Sequence, residues 1–289
     1  MIEKKVRNNK LKKPAIHYVM VAVYSLIVAT IFFAIYILII TALKTAKEYA
    51  LGNTWKLPNN GYHFENFLNV FKVLTVNKTG YVGMIWNTIW ITIAPAILNI
   101  AGTTLLSYAY AKYNFFGRRA LWMLNVVTMT VALPGVAVSY YKLFSDLGLR
   151  NSPLFLISCW GGFGANFLML VSFWNSVSNS YAEAAVMDGA GHMSVFLKVM
   201  FPQTLPLVGV FFLLQFVAGW EGMGPCLYYL PNYPNMAYGL YVYSTKTERT
   251  INYPIYYSAL IMLAIPSIIM YAVFQDRIMR GMNIGGLKG

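Results

Sequence analysis

Charged side chains are scarce in this sequence: Asp, Glu, Lys and Arg together make up 11% of its 289 residues. Soluble globular domains carry about 25% charged residues, so the deficit argues against an ordinary soluble domain. The hydrophobic share is correspondingly high, at 58%, and the mean hydropathy is +0.55. The composition therefore predicts a membrane protein.

Cysteine and histidine are also rare, with two and three residues respectively. Cys159 and Cys226 lie in or beside apolar segments and neither has a CxxC partner, so we interpret them as small buried hydrophobic residues and not as a disulfide. The histidines are far apart in the sequence and match no zinc-ligand spacing. We therefore predict no metal site, and the absence of a nucleophile constellation predicts no catalytic residue.

Acidic residues are few relative to basic ones, since nine Asp and Glu stand against 22 Lys and Arg and give a net charge of +13. Such an excess can indicate nucleic-acid binding, but nucleic-acid binders concentrate Lys and Arg on a solvated face. Here the basic residues lie between apolar runs, as in membrane proteins whose cytoplasmic loops are enriched in Lys and Arg. We expect contact with membrane lipid and no nucleic-acid partner.

Six apolar runs predict an all-α membrane protein with about six transmembrane helices, because each run is near the 20 or so residues that cross a bilayer. The runs cover residues 16–43, 81–111, 120–144, 153–177, 203–219 and 255–274. The distribution of Lys and Arg places both termini in the cytoplasm. We expect a basic N-terminus at 1–15, a transmembrane domain at 16–275 and a cytoplasmic tail at 276–289.

A polar segment at residues 180–206 separates the fourth and fifth apolar runs. Ser180 followed by Glu183 fits a capping box, in which each side chain satisfies a free backbone N–H at a helix start. We therefore predict a helix that begins near Tyr181.

The same segment contains signals that end this helix and start another. Gly189 and Gly191 predict the end, because glycine adopts the left-handed backbone conformation without a Cβ penalty. Ser194 is a candidate cap for a second short helix that runs to Phe201. The expected structure is a helix, a tight turn and a second helix.

Small and acidic side chains give the first of these helices the character of a docking surface. Glu183 and Asp188 offer charge to a basic partner. Alanines would let another backbone come close, and they are Ala182, Ala184, Ala185 and Ala190. The alternative is a solvated helix whose alanines only reflect helix propensity.

This segment closely resembles the EAA loop of permease subunits from binding-protein-dependent ABC importers. The resemblance lies in the spacing Glu-Ala-Ala, two residues, Asp-Gly-Ala, followed by Phe196, Pro202 and Pro206. The matching positions are Glu183, Ala184, Ala185, Asp188, Gly189 and Ala190. In that family the loop faces the cytoplasm and seats in a cleft of the ATPase subunit. The resemblance implies the type I importer permease fold, with a coupling loop at 180–202. Sugar importers usually carry Ile-Pro where this chain has Asn179-Ser180.

The C-terminal tail resembles the glycine-rich tail of the maltose-type permease subunit. In that relative the tail reaches into the ATPase dimer, so the resemblance makes Gly286 and Lys288 further candidates for ATPase contact. The alternative is a frayed chain end.

Several polar or aromatic residues are candidates for a substrate path. Trp220-Glu221 stands where sugar importers often have Trp-Asn, and a carboxylate at the bilayer centre costs about 2.5–3.5 kcal/mol, so Glu221 should face water, a cavity or a partner. Tyr228 can stack on a sugar or belong to an interfacial aromatic belt. Asn87 and Asn166 lie inside predicted spans, where an amide can contact substrate or hold helices together.

The resemblance implies a non-catalytic permease subunit that imports an oligosaccharide across the bacterial plasma membrane. It also implies a second homologous permease subunit, an extracytoplasmic solute-binding protein and an ABC ATPase dimer. ATP and Mg would be bound by the ATPase subunits, and this chain would carry no cofactor. Closure of the ATPases would move the EAA helix and switch the cavity between outward and inward access.

Two other classes of protein remain open on the residues alone. A self-sufficient secondary transporter of a small polar solute would have paired broken helices and ion-coupling carboxylates at the midplane, and only Glu221 comes near that pattern. A membrane enzyme would need a metal or nucleophile constellation, which the sequence does not offer.

Overall fold

The computed structural model describes residues 15–52, 54–131, 136–245 and 251–282. Four of its helices are long and apolar enough to cross a membrane, at 16–42, 81–112, 192–220 and 253–275. These four match the first, second, fifth and sixth predicted spans. The predicted N-terminal segment 1–15 lies outside the described residues except for its last residue.

The chain divides into two compact units, of which the first includes residues 15–68 and 252–261. It contains the helices α1 (Ala15–Ala42) and α2 (Ala46–Ala50), and the start of α3 (Glu65–Val73). The Asn66 side chain donates to the carbonyl oxygens of Ala42 and Lys44, each at 2.8 Å. These bonds satisfy the backbone at the end of α1, where the helix no longer supplies partners.

The second unit includes residues 69–251 and 262–282. After a two-residue antiparallel ladder, β1 (Thr75–Val76) and β2 (Thr79–Gly80), it contains the long helix α4 (Tyr81–Lys112). The ladder departs slightly from the all-α prediction. Its turn is made by Asn77 and Lys78, both at positive φ, which is the conformation that two-residue hairpin turns favour.

The region of the third predicted span contains α5 (Arg118–Thr130) and α6 (Val136–Asp146), and residues 132–135 between them lie outside the described part. The fourth predicted span, 153–177, is not one helix. A 3₁₀ segment at Pro153–Cys159 precedes α7 (Ala165–Ser176). Gly164 lies between them with φ +121, and an α-helix cannot continue through that conformation.

The break before α7 brings two backbones together. A Cβ on Gly102 of α4 would collide with the carbonyl oxygen of Gly161, and a Cβ on Gly161 would collide with the carbonyl oxygen of Asn99. Gly161 belongs to the connection before α7 and not to a helix. Only glycine permits this approach.

The rest of the second unit is built on a helix that runs without interruption from His192 to Trp220. It starts as α9 (His192–Ser194), passes through a π-helical stretch (Val195–Met200) and continues as α10 (Phe201–Trp220). Two short helices follow, α11 (Gly224–Tyr228) and α12 (Met236–Ser244), and then α13 (Tyr253–Met282), whose residues up to 261 belong to the first unit. α13 extends beyond the predicted start of the tail at 276.

Candidate functional site

The predicted docking segment forms an exposed helix, α8 (Ser180–Met187), beside the C-terminal end of α4. Lys112, the last residue of α4, donates from Nζ to the carbonyl oxygen of Val177 at 2.7 Å and to Oδ1 of Asn179 at 2.8 Å. Asn179 is the first residue of the departure from the Ile-Pro of sugar importers. The side chain of Asn179, which replaces the isoleucine, thus forms a hydrogen-bonded connection between α4 and the start of α8.

The N-terminus of α8 does not form the predicted capping box. Ser180 is the first helical residue and Asn179 is the N-cap, and the Asn179 side chain makes no capping bond. Instead the Ser178 hydroxyl oxygen accepts from the Ser180 backbone N–H at 3.2 Å. The capping-box pattern indicated Ser180 and missed Ser178, whose hydroxyl is the backbone acceptor at this helix start.

The C-terminus of α8 ends in a Schellman motif, as Gly189 predicted. Gly189 has φ +83, and its N–H donates to the carbonyl of Val186 at 2.9 Å while the N–H of Ala190 donates to Ala185 at 3.0 Å. These are the two bonds that define the motif, which requires a left-handed residue at the position of Gly189. The turn is therefore fixed by backbone geometry.

The second short helix is not a separate element. It begins at His192 with Gly191 as its N-cap, Ser194 makes no capping bond, and the helix continues beyond Phe201 to Trp220. Buried apolar residues on one side, Val195 and Phe196, explain why the helix does not stop. Four residues, 188–191, thus join α8 to a membrane-spanning helix.

Most of the alanines of α8 face the interior of the chain. Ala182, Ala185 and Ala190 are half-buried against a buried apolar cluster. The cluster consists of Ile100, Tyr108, Leu170, Trp174, Val195, Phe196, Met200 and Phe211. The expectation of a bare outward surface therefore holds only for Ala184, which is exposed. The small side chains let α8 lie close to its own core.

The outer side of α8 combines two carboxylates with exposed apolar side chains. Glu183 and Asp188 are exposed, and Met187 between them is 87% exposed. Tyr181 and Val186 are exposed as well. Large exposed apolar side chains beside charged ones are typical of protein interaction sites. Gly286 and Lys288, the other candidates for ATPase contact, lie outside the described residues.

A second contact links α4 to the start of the long helix. The Tyr113 hydroxyl lies 3.3 Å from Nδ1 of His192, and the two rings meet edge to face with centroids 5.9 Å apart. Tyr113 also meets Tyr108 of the buried cluster edge to face. α8 is therefore held on both sides, by Lys112 before it and by Tyr113 after it.

Two of the substrate-path candidates are buried and hydrogen-bonded within the chain. Trp220 is 5% exposed and donates from Nε1 to the carbonyl oxygen of Leu263 at 2.9 Å. Asn87 donates to the carbonyl oxygen of Pro234 at 3.0 Å and accepts from Trp90 Nε1 at 3.2 Å. Both side chains hold neighbouring elements together in this structure.

The other three candidates are more accessible and do not form one group. Glu221 is exposed and is the C-cap of α10. Tyr228 is 44% exposed and packs against Tyr229, while Asn166 is half-buried in the first turn of α7. Among the described residues, no three His, Cys, Asp or Glu lie together in a way that would hold a metal.

The family model for the inner membrane component of binding-protein-dependent transport systems matches residues 103–284. This match covers more than half of the chain and includes the C-terminal part of α4, α8 and the helix from His192 to Trp220. The chain belongs to this family of inner membrane transport components. The resemblance found in the sequence is confirmed, and the protein is a membrane-spanning transport subunit.

Relatives in this family match over almost their whole length. The maltodextrin transport system permease protein MdxG of Bacillus subtilis is 25% identical over 88% of this chain and 91% of its own. The sulfoquinovosyl glycerol transport system permease protein SmoH of Agrobacterium fabrum is 27% identical over 93% of both chains. A solved bacterial ABC transporter involved in the import of the acidic polysaccharide alginate matches with a TM-score of 0.76 and 19% identity, over 90% of this chain and 95% of that one. The fold is that of a type I ABC importer permease.

Proposed function

We propose that this transport subunit is the permease of an ATP-driven importer, and that α8 is the helix through which a partner ATPase moves it. The observation that supports the proposal most is the two-sided character of α8. Its outer side presents Glu183, Met187 and Asp188, while its inner side packs on the Trp174 and Phe196 cluster. A docking element needs an accessible face and a firm support.

The covalent route from α8 into the membrane supports a mechanical role. Only four residues, 188–191, separate the end of α8 from the helix that runs from His192 to Trp220. A displacement of α8 by the ATPases would therefore reach α10 directly and α4 through Lys112 and Tyr113. The ATPase subunits would bind ATP and Mg, and this chain would contribute no catalytic group.

The cargo that we propose is an oligosaccharide. The relatives reported above are named for the transport of maltodextrin and of sulfoquinovosyl glycerol, and the solved neighbour is described as involved in the import of the acidic polysaccharide alginate. Exposed aromatic and polar side chains such as Tyr228 offer a stacking surface for the C–H faces of sugars. Of the sequence candidates, Glu221, Tyr228 and Asn166 are accessible enough to lie on the path, whereas Trp220 and Asn87 support it.

The proposed assembly contains a second homologous permease subunit, two ATPase subunits and an extracytoplasmic solute-binding protein. We place it in the bacterial plasma membrane with both termini and α8 in the cytoplasm, because Lys and Arg are concentrated in the segments that would then be inside. Gly286 and Lys288 in the tail are proposed as a second contact with the ATPases.

The docking role of α8 can be tested with a charge reversal. Asp188→Lys should abolish co-purification of the ATPase subunits and ATP-driven uptake in liposomes, because it puts a positive charge where the ATPase is expected to be basic. Asp146→Lys, a reversal at an exposed carboxylate at the end of α6, is the matched control and should leave ATPase binding intact.

Two results would contradict the proposal. Normal ATPase binding by the Asp188→Lys protein would remove the docking role of α8. Uptake by the purified chain in liposomes that contain no ATPase subunit would reject the importer and favour a secondary transporter.

A further inference from the structure

A basic and aromatic cavity lies near the end of α4 that carries Lys112. Its volume is about 450 Å³, within the range of roughly 300–1,000 Å³ that small-ligand sites have. The residues that line it are Tyr110, Arg118, Arg119, Trp122, Val171 and Asn175. These lining residues include two arginines and no carboxylate, so the cavity favours an anion.

The first arginine is held in place by the chain. Arg118 donates from Nη1 to Oδ1 of Asn114 at 2.8 Å, and its guanidinium carbon lies 4.7 Å from the centre of the Tyr110 ring. Arginine has five N–H donors in a fixed planar arrangement, and the Asn114 bond uses one of them. The guanidinium therefore keeps donors for a ligand while its position is fixed, which lowers the entropy lost on binding.

The second arginine has no protein partner among the described contacts. Arg119 is exposed, and both arginines stand in the first turn of α5, a helix of 13 residues. The N-terminal end of a helix attracts anions because its first N–H groups have no partner within the helix. The arginine pair and the start of α5 therefore both favour an anion.

The aromatic wall of the cavity indicates that the anion belongs to a lipid headgroup and not to a soluble molecule. The rings of Tyr110 and Trp122 stack with centroids 5.6 Å apart and an angle of 24°, and Trp122 is 38% exposed. Trp and Tyr concentrate at the level of lipid headgroups, and basic pockets between membrane helices on the cytoplasmic side bind anionic headgroups. A soluble anion would not need an exposed aromatic wall beside the arginines.

We propose that this cavity binds the phosphate of an anionic phospholipid headgroup, with Arg118 and Arg119 as its ligands and Trp122 beside the acyl chains. This lipid site is separate from the transport function. It depends on the proposed function in one respect, the position of this end of α4 in the cytoplasmic leaflet. A lipid bound here would connect α4, α5 and α7, since Val171 and Asn175 belong to α7. Of these helices, α4 and α7 contribute residues to the apolar cluster that supports α8.

Native mass spectrometry of the full-length protein in mild detergent tests the proposal. Phosphatidylglycerol and phosphatidylcholine are the probes, with Arg119→Gln as the variant, because Arg119 makes no contact that the fold needs. Wild-type protein should prefer phosphatidylglycerol, and the variant should lose about fivefold in its affinity for that lipid, which is the value of one basic side chain near a membrane surface. Arg118→Gln should lose at least as much.

The matched control is Arg150→Gln. Arg150 also lies over an aromatic ring, with its guanidinium carbon 5.1 Å from the centre of Tyr141, but it lines no part of this cavity. It should bind both lipids as the wild type does. A large excess of inorganic phosphate should not displace phosphatidylglycerol.

Three outcomes would overturn the assignment. Equal affinity for the two lipids would show that the cavity does not select charge. The same loss in Arg119→Gln and Arg150→Gln would show a general effect of surface charge. Full displacement by inorganic phosphate would assign the arginines to a soluble anion and not to a lipid. None of these measurements depends on ATP or on uptake.

Discussion

The two ends of α4 use polar side chains in opposite ways. At the Lys112 end, α8 turns Glu183 and Asp188 outward, while apolar packing and the hydrogen bonds of Lys112 hold the helix in place. At the Tyr81 end, the amides of Asn87 and Asn235 are buried and bonded to backbone groups of the loops beside them. A polar residue in an apolar chain therefore indicates a functional contact only where the chain has not already used its hydrogen-bonding groups.

Breaking the turn after α8 should have the largest effect on transport. Gly189→Val places a β-branched residue at φ +83, a conformation that costs on the order of 1–3 kcal/mol. α8 would lose its Schellman end, and ATP-driven uptake in liposomes should fall by roughly 10- to 100-fold.

The control for this change is Gly191→Val, two residues away in the same turn. Gly191 has φ −70 and ψ 156, and nothing lies within 4 Å of a Cβ built there. Its uptake should stay near that of the wild type. If the two variants transport equally well, the geometry of the turn does not matter for coupling.

The second largest effect is expected at the close contact between Gly102 of α4 and the backbone of Gly161. Gly102→Ala forces a methyl group into the backbone of Gly161, and overpacking of this kind costs typically 1–3 kcal/mol. The apparent Tm of the purified protein should drop. Gly162→Ala is the matched control, because its Cβ would meet Leu106 at an ordinary 3.5 Å; a similar drop in both would contradict the close approach of Gly102 and Gly161.

The smallest effect is expected for Trp220, the buried tryptophan at the end of α10. Trp220→Phe removes the bond to Leu263 and should cost about 1 kcal/mol of stability, without changing the KM for substrate. Trp86→Phe, at a tryptophan that is 66% exposed on α4, should change neither quantity. If Trp220→Phe raised the KM and left the stability unchanged, the result would contradict the structural role of Trp220 and indicate that it contacts the substrate.

The sequence predicts the features that depend on local patterns. The long apolar runs mark α1, α4, α10 and α13, and Gly189 marks the end of α8, since hydrophobic length and a positive φ leave direct traces in residue types. The motif around Glu183 and Asp188 is specific enough to identify the family from residue types and spacing alone.

What the sequence did not predict depends on contacts between distant residues. The bond of Lys112 to Asn179 joins positions 67 residues apart, and no local pattern marks it. The division of the span at 153–177 allows Gly161 to approach α4, and Ala182 and Ala185 face inward because they pack on the apolar cluster behind them. Ser178 was within reach of sequence reasoning, because a serine at a helix start is a common backbone acceptor.

The π-helical stretch Val195–Met200 sits between α8 and the transmembrane part of its helix. A π turn holds one residue more than an α turn, and one residue corresponds to a rotation of about 100° around the helix axis. If these six residues changed from the π-helical to the α-helical hydrogen-bonding pattern, α10 would rotate about its own axis relative to α8. The π-helical stretch thus sets the rotational position of the helix that ends at Trp220 relative to the end of α8.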